Sequence, residues 1–312
     1  VVTAIQEFTT AYRQLETIPV PSEFNQQLTT YYREQFLPKL AKTQPGSPVL
    51  NSFLPETKAS DYLQYHYIAG NSHPVGQKDL LNRAQDGSTY SRIHARYHPI
   101  FRDMIKTFGY YDMFLINPQG TIVYTVYKET DFTSNLTTGP YNESNLARLV
   151  ASVRRAKGKN YAIMIDFEAY APSYGAPAAF IAAPIYDRSQ FLGVLAIQLP
   201  VDEINNVMTG NQNWARDGLG NTGETYLVGP DYLMRSVSRF LIETPDDYLQ
   251  KLRSLGVEET TLKRIAQYKT SILEQKVRTQ AVEAALTGKQ GTQIIRDYRD
   301  VPVLSSYAPL QL

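Results

Sequence analysis

The stretch of residues 161–199 constrains the fold of this chain more than any other. It contains three apolar runs, at residues 161–170, 178–186 and 191–199, separated by proline, glycine and polar residues. Apolar runs of about five to ten residues between turn signals are typical of β-strands rather than helices. The sequence therefore predicts three consecutive antiparallel strands joined by two turns.

The middle run has unusually small side chains. Alanine occupies positions 176, 178, 179, 182 and 183, so one face of the predicted sheet carries little bulk. Such a face leaves room for a small molecule, and aromatic and acidic residues surround the break PSYGAP at residues 172–177. We therefore predict a ligand pocket at this break, lined by Tyr124, Tyr161, Asp166, Tyr170, Tyr174 and Phe180.

The composition excludes several classes of function. The net charge of the 312-residue chain is +1, which gives no electrostatic case for binding nucleic acid. Cysteine is absent, so disulfides, thiolate catalysis and cysteine-ligated zinc are ruled out. The 23 tyrosines suit walls that must be apolar and also offer a hydroxyl group. No cofactor is expected.

Residues 1–44 predict a helical stem. An apolar stripe at intervals of four and three residues indicates one helix face, and it consists of Val1, Ile5, Phe8, Tyr12 and Leu15. Two prolines, Pro19 and Pro21, interrupt the pattern before an apolar face continues to about residue 40. A helix of about 40 residues would be about 60 Å long, enough to run beside two domains. The stripe also predicts that the stem pairs with a second copy in a homodimer.

Two similar units follow the stem. Residues 45–200 predict a helix at 89–108, a hairpin at 112–127, a helix at 142–157 and then the three strands. Residues 201–312 predict a hairpin at 224–236, helices at 245–255 and 258–286, and a hairpin at 292–308. The second unit is expected to lack its last strand. The fold class is therefore α+β: a long stem helix and two PAS-like units, each an antiparallel sheet flanked by helices.

Three motifs suggest chemistry, but each lacks the context that the chemistry needs. Residues 218–223 spell G-x-G-x-x-G, yet a strand follows the motif instead of a helix, so a turn is favoured over dinucleotide binding. His94 and His98 share a helix face without a third ligand, and no metal site is expected. Asp166 and Glu168 could form the acid pair of a hydrolase, but no catalytic residue is expected.

Four segments resemble a known family. They are GYYDMFL at residues 109–115, PSYGAPAAF at 172–180, TGETYLV at 222–228 and DYRDVPVLSSYAPL at 297–310. They are similar to segments of double Cache (dCache) sensor domains, above all those of bacterial adenylate/guanylate cyclases and related histidine kinases. The R-x-W-Y element of amino-acid-binding members is missing, since Arg155 is followed by Ala-Lys-Gly and the sole tryptophan is Trp214.

The resemblance implies an extracytoplasmic, periplasmic domain of a bacterial transmembrane receptor. Flanking membrane spans would anchor it in the cell membrane, and a cyclase or histidine kinase would be its output domain. A small ligand would bind in the membrane-distal unit at residues 45–200 and bias the helices that lead to the membrane. The domain itself would catalyse no reaction. The alternative is a protein–protein interaction or dimerisation module that binds no small ligand.

Overall fold

The structure, a computed structural model, describes residues 1–43, 48–156 and 158–310. These residues divide into two compact units, Val1–Pro200 and Val201–Leu312. The predicted boundary between residues 44 and 45 lies outside the described residues. Within them, no helix combines the length and the apolar character that crossing a bilayer requires.

The stem is helical and is interrupted at the two prolines, as predicted, so it consists of two helical segments. Helix α1 (Val2–Leu15) ends before the two prolines, and α2 (Ser22–Tyr31) continues through a π-helical turn (Tyr32–Phe36) into α3 (Leu37–Leu40). Proline has no N–H and restricts the residue before it, which breaks the hydrogen-bond ladder here.

The apolar stripe of α1 lies inside the first unit. Ile5 and Phe8 are fully buried, and Tyr12 and Leu15 are nearly so, in a core shared with the helices and sheet of this unit. Only Val1 at the start of the stripe is exposed. The stripe therefore packs within the unit, and pairing of the stem with a second copy stays a prediction.

Three further α-helices complete the first unit among its described residues. Helix α4 (Lys58–Gln64) continues through a second π-helical turn (Tyr65–Ala69), and α5 (Thr89–Phe108) and α6 (Asn145–Arg155) follow. The hydroxyl oxygen of Ser88 caps α5 by accepting from the backbone N–H of Ser91. Gly109, at a φ of 70°, ends α5 in the left-handed conformation that favours glycine. The predicted bounds of α5 are confirmed.

The sheet of the first unit has five antiparallel strands. They are β1 (Asp112–Ile116), β2 (Ile122–Thr125), β3 (Ile163–Tyr170), β4 (Ala176–Asp187) and β5 (Gln190–Gln198), in the order β2-β1-β5-β4-β3. The three predicted strands and the preceding hairpin are confirmed, and so is the α+β class. One face of the sheet packs on α1, α4 and α5. The other face packs on α6.

Two alanines of β4 pack against a helix. Ala178 and Ala182 are buried in the core that includes the apolar face of α6. The amide group of Asn145, in the first turn of α6, donates to the carbonyl oxygen of Ala178 at 2.7 Å. Small side chains allow this close approach of helix to sheet. The space above these two alanines is therefore occupied by α6.

The second unit contains five helices and a two-stranded antiparallel sheet among its described residues. The helices are α7 (Val201–Thr209), α8 (Arg239–Glu243), α9 (Pro245–Ser254), α10 (Glu259–Tyr268) and α11 (Gln280–Leu286), and the strands are β6 (Gly291–Arg296) and β7 (Pro302–Tyr307). The hairpin predicted at 224–236 is reduced to a single bridge between Val228 and Met234.

The helix predicted at residues 258–286 is wrong. The chain leaves the helix at Lys269, which has a φ of 51°, and bridges Leu233 through Lys276 before α11 begins. Ile272 and Val277 are buried in this irregular segment. Their spacing is that of apolar residues on a helix face. An irregular segment can bury residues at the same spacing.

The loop that contains the G-x-G-x-x-G motif is held by an arginine. The buried guanidinium group of Arg239 donates to the carbonyl oxygens of Gly220, at 3.0 Å, and Gly223, at 2.7 Å. The same group pairs with Glu243 and lies over the ring of Trp214. This arrangement agrees with the interpretation of the motif as a turn.

Candidate functional site

Residues 126–136, which we call the strap, follow β2 and fold back along it. The N–H of Thr133 donates to the carbonyl oxygen of Ile122, and the N–H of Ile122 donates to that of Ser134, both at 3.0 Å. The strap carries three charged residues in four positions, Lys128, Glu129 and Asp131. Its path brings these side chains to the end of the sheet where β1 begins.

Asp112, the first residue of β1, fixes the start of the strap. Its Oδ1 accepts hydrogen bonds from the backbone N–H groups of Met113, Val126 and Tyr127 at 2.6, 2.9 and 3.2 Å. Asp112 is fully buried and pairs across the sheet with Gln198, the last residue of β5. Directly opposite residues of neighbouring strands point to the same face, so the two polar side chains are adjacent.

The other two acids of the strap have phenol and hydroxyl partners. The hydroxyl of Tyr170 donates to Oδ2 of Asp131 at 2.6 Å. Glu129 accepts from the hydroxyl of Tyr111 through Oε1, at 2.9 Å, and from that of Ser173 through Oε2, at 2.7 Å. Together with Asp112, these residues form what we call the acidic cluster: Asp112, Glu129 and Asp131.

Among the residues that the structure describes, none donates a hydrogen bond to three acceptor atoms at the acidic cluster. They are Oδ2 of Asp112, Oδ1 of Asp131 and Oε1 of Gln198, and all three are buried. The amide of Gln198 faces the cluster, since its Nε2 donates to the hydroxyl of Ser173 at 3.4 Å. A buried acceptor without a donor costs about 1–3 kcal/mol, and more when it carries charge. The site therefore has the chemistry to accept several N–H donors.

Burial changes the protonation of the acidic cluster. It raises the pKa of Asp131 to about 6. It also raises the pKa of Glu129 to about 8, with a further contribution from the negative charge of Asp131. The pKa of Asp112 is raised by burial and then by Asp131. The three carboxyl groups disfavour each other's ionisation, and a bound positive charge would relieve this repulsion.

Lys128 supplies a buried positive charge beside the cluster. Its Nζ donates to the carbonyl oxygen of Thr125 and lies over three aromatic rings, at 4.4 Å from the centroid of Tyr124, 5.1 Å from Phe132 and 5.8 Å from Tyr67. Burial lowers its pKa. One lysine does not balance three carboxyl groups, so the ionised cluster has excess negative charge.

Four of the residues predicted to line the pocket lie at or next to the acidic cluster. Tyr170 binds Asp131, the ring of Phe180 packs 5.0 Å from that of Tyr170, and Tyr124 lies under Lys128. Tyr174 follows Ser173 directly, at a φ of 57°. Tyr170 and Phe180 therefore lie together at Asp131, whereas the ring of Tyr174 packs 5.8 Å from that of Phe36.

The other two predicted residues lie elsewhere. The hydroxyl of Tyr161 donates to the carbonyl oxygen of Val153 in α6, at 2.6 Å. Asp166 is exposed on β3, and Oδ1 accepts from the N–H of Phe167 at 2.7 Å. Glu168 is also exposed and pairs with Arg148. Two exposed carboxylates without an enclosing cleft do not form the acid pair that a hydrolase requires.

The acidic cluster itself was missed from the sequence. One signal was present, because Asp112 opens an otherwise apolar strand, DMFLI, whose five residues are all buried. The second signal was the run KETD at residues 128–131, directly after a predicted hairpin strand. Neither signal shows that the two segments meet.

The two histidines of α5 are buried and hydrogen-bonded, with rings 4.3 Å apart. Nδ1 of His94 lies 2.8 Å from the carbonyl oxygen of Asn82, and Nε2 of His98 lies 2.6 Å from that of Asp79. Burial lowers the pKa of both imidazoles, so both are neutral. The described residues contain no group of three or more acidic or histidine side chains placed to hold a metal ion.

A surface groove of about 500 Å³ lies between α1 and α5. Its charged residues include Glu7 and Arg96, which pair with each other. It contains none of the buried acceptors without donors, so the acidic cluster remains the stronger candidate.

The chain is similar to several solved structures of receptor domains. The first is the extracellular domain of a protein described as a histidine kinase, vpHK1S-Z8, with 11% identity over 86% of this chain and 84% of that chain and a TM-score of 0.38. The sensor domain of the V. cholerae histidine kinase DctB has 14% identity over 87% and 86%, with a TM-score of 0.34. The ligand-binding domain of the Pseudomonas aeruginosa amino acid chemoreceptor PctC, in complex with GABA, has 14% identity over 70% and 76%, with a TM-score of 0.32.

No family model matches the chain, and no curated protein matches it. The function of the chain is therefore inferred from its own residues.

Proposed function

We propose that this chain is an extracytoplasmic sensor domain of the double Cache type, and that its first unit binds a small cation at the acidic cluster. The observation that carries the ligand class is the set of three buried acceptors without protein donors, on Asp112, Asp131 and Gln198. An ammonium or amidinium group supplies two or more N–H donors for these acceptors and a further positive charge, which the single Lys128 does not provide for three carboxyl groups.

The energy of such contacts is sufficient for a switch. A hydrogen bond to a charged group contributes about 1.5–3 kcal/mol, so three would contribute roughly 5–9 kcal/mol before the ligand's own desolvation. Shifting a two-state equilibrium from 1:99 to 99:1 takes about 5.5 kcal/mol of differential affinity. A ligand that meets all three acceptors in only one arrangement of the strap can therefore switch the domain.

The wider role follows from the sequence resemblance and is proposed with it. The domain would lie outside a bacterial cell membrane, between membrane-spanning segments of a longer receptor whose output is a cyclase or a histidine kinase. The domain would pass the ligand signal to that output without catalysing a reaction. The alternative, a dimerisation module without a ligand, relied on the apolar stripe of α1, whose side chains are buried within the first unit.

The proposal is tested by calorimetric titration with ethylenediamine, and with ethylene glycol as a neutral control of similar size. We expect heat of binding from the diamine alone, and at least a tenfold loss of affinity in Asp131→Asn. The matched control is Asp166→Asn, which changes an exposed carboxyl group of the same unit and should bind as the wild type does. Equal binding by the two variants would reject the acidic cluster as the site.

A further inference from the structure

Gln64, the last residue of α4, holds the strap on both sides of Asp131. Its side chain is 1% exposed, and its Nε2 donates to the carbonyl oxygens of Thr130, at 3.3 Å, and Phe132, at 2.7 Å. A glutamine amide has two N–H donors, so both are used on the strap. The two carbonyl groups flank the residue that carries one of the acceptors without a donor.

The orientation of Gln64 is itself fixed by a tyrosine. The hydroxyl of Tyr32 donates to Oε1 of Gln64 at 2.9 Å, and lies 3.5 Å from the carbonyl oxygen of Thr130. Tyr32 is fully buried at the start of the π-helical turn after α2. Because Oε1 must accept from the phenol, Nε2 must point at the strap.

One turn earlier in α4, Ser60 makes a third contact of the same kind. Its hydroxyl donates to the carbonyl oxygen of Thr133 at 3.0 Å and lies 3.0 Å from the hydroxyl of Tyr12 in α1. Residues four apart in a helix share a face, so Ser60 and Gln64 form one polar edge against the strap. This edge holds a strained stretch of backbone in place, since Thr133 has a φ of 69°.

We infer that Gln64 is a positioning residue for the ligand site, which fixes Asp131 within the acidic cluster and links it to the N-terminal helices. The role of Gln64 at a ligand site rests on the proposed function. The placement of Asp131 by Gln64 does not depend on a ligand. The hydrogen bonds to the carbonyl groups on either side of Asp131 set the direction of its side chain. Asp131 is fully buried, and loss of these hydrogen bonds would let water reach its carboxyl group.

The test compares three variants. Gln64→Leu removes both donors and the acceptor at nearly constant volume, and Tyr32→Phe removes only the hydroxyl that orients Gln64. The matched control is Gln275→Leu, because Gln275 in the second unit is also buried, accepts from the hydroxyl of Tyr248 at 3.1 Å and donates to a backbone carbonyl at 2.7 Å. The control removes a similar buried glutamine that does not touch the strap.

The readout is the titration of the Asp131 carboxyl carbon by NMR, without any ligand. We expect the pKa of Asp131 to fall by about one unit in Gln64→Leu as water reaches the carboxyl group, and by less in Tyr32→Phe. In Gln275→Leu it should stay at the wild-type value. If Gln64→Leu does not fold, Tyr32→Phe alone decides. Thermal destabilisation with an unchanged Asp131 titration would mean that Gln64 is structural only, and would overturn the inference.

Binding of ethylenediamine then separates the two proposals. If the wild type binds the diamine, Gln64→Leu should bind it at least fivefold more weakly, and Gln275→Leu should bind it normally. A shift in the Asp131 titration without any diamine binding would support the positioning role and reject the cation site. Normal diamine binding by a folded Gln64→Leu would reject a role of Gln64 in ligand binding and leave the cation site standing.

Discussion

Replacing Asp131 by asparagine should stabilise the protein at neutral pH, because burial penalises its charge. The carboxyl group is fully buried, and its pKa is raised from 3.8 to about 6. One pKa unit corresponds to 1.36 kcal/mol, so a shift of about two units means that ionisation costs the folded state about 3 kcal/mol. An asparagine can still accept from the hydroxyl of Tyr170, and it never ionises.

The sign of the pH dependence follows from the raised pKa. Since the folded pKa exceeds the unfolded one, the favourable contribution of Asp131 is complete below about pH 4 and is lost as the pH rises through about 6. We therefore expect Asp131→Asn and the wild type to differ little at pH 4. At pH 8 the variant should be more stable by about 3 kcal/mol.

The assay is urea denaturation of both proteins at pH values from 4 to 8, with the free energy of unfolding extrapolated to water. Other titrating groups are common to both proteins, so the difference between the two curves reports Asp131 together with the effect of its charge on Asp112 and Glu129. The same variant should lose diamine binding, which would be a gain of stability at the expense of function. A stability difference that is the same at pH 4 and pH 8 would refute the reasoning.

Three further substitutions test the packing around the site. Gly193→Ala should destabilise the first unit by about 3 kcal/mol or more in thermal denaturation. The φ of Gly193 is +137°, and a Cβ there would collide with the carbonyl oxygen of Ile116. Wild-type stability of the variant would mean that β1 and β5 can separate. Tyr124→Phe removes the hydrogen bond to Nδ1 of His98 at 2.7 Å and should cost about 1–2 kcal/mol in urea, whereas no loss would mean that water replaces the hydroxyl. Asp166→Asn should change stability by less than about 0.5 kcal/mol, since the side chain is exposed; a larger loss would show a structural role for this carboxylate.

The sequence predicted the strands of the first unit because each apolar run is bounded by its own turn residues. It predicted α5 equally well, since Ser88 and Gly109 mark both ends. It failed where tertiary contacts replace a local pattern. The helix predicted at 258–286 ends at Lys269, where the chain turns to bridge Leu233.

The candidate site also combines residues that a local pattern predicts with residues that only tertiary contacts bring together. Tyr170 and Tyr174 were found because they lie in a segment whose composition is unusual. Asp112 and Asp131 are 19 positions apart, and only the return of the strap along β2 brings them together. No spacing rule predicts this contact. The open acceptors on these residues are visible only once their neighbours are known.

Because the pKa of Glu129 is raised to about 8, the acidic cluster can bind a proton as well as a ligand. At neutral pH this carboxyl group carries a proton, and an arriving cation can displace it. In the proposed site a bound cation favours the ionised form of Glu129 by its charge, so binding would release a proton to the buffer, and affinity would rise as the medium becomes more alkaline. A domain with this site would therefore respond to pH as well as to the concentration of its ligand.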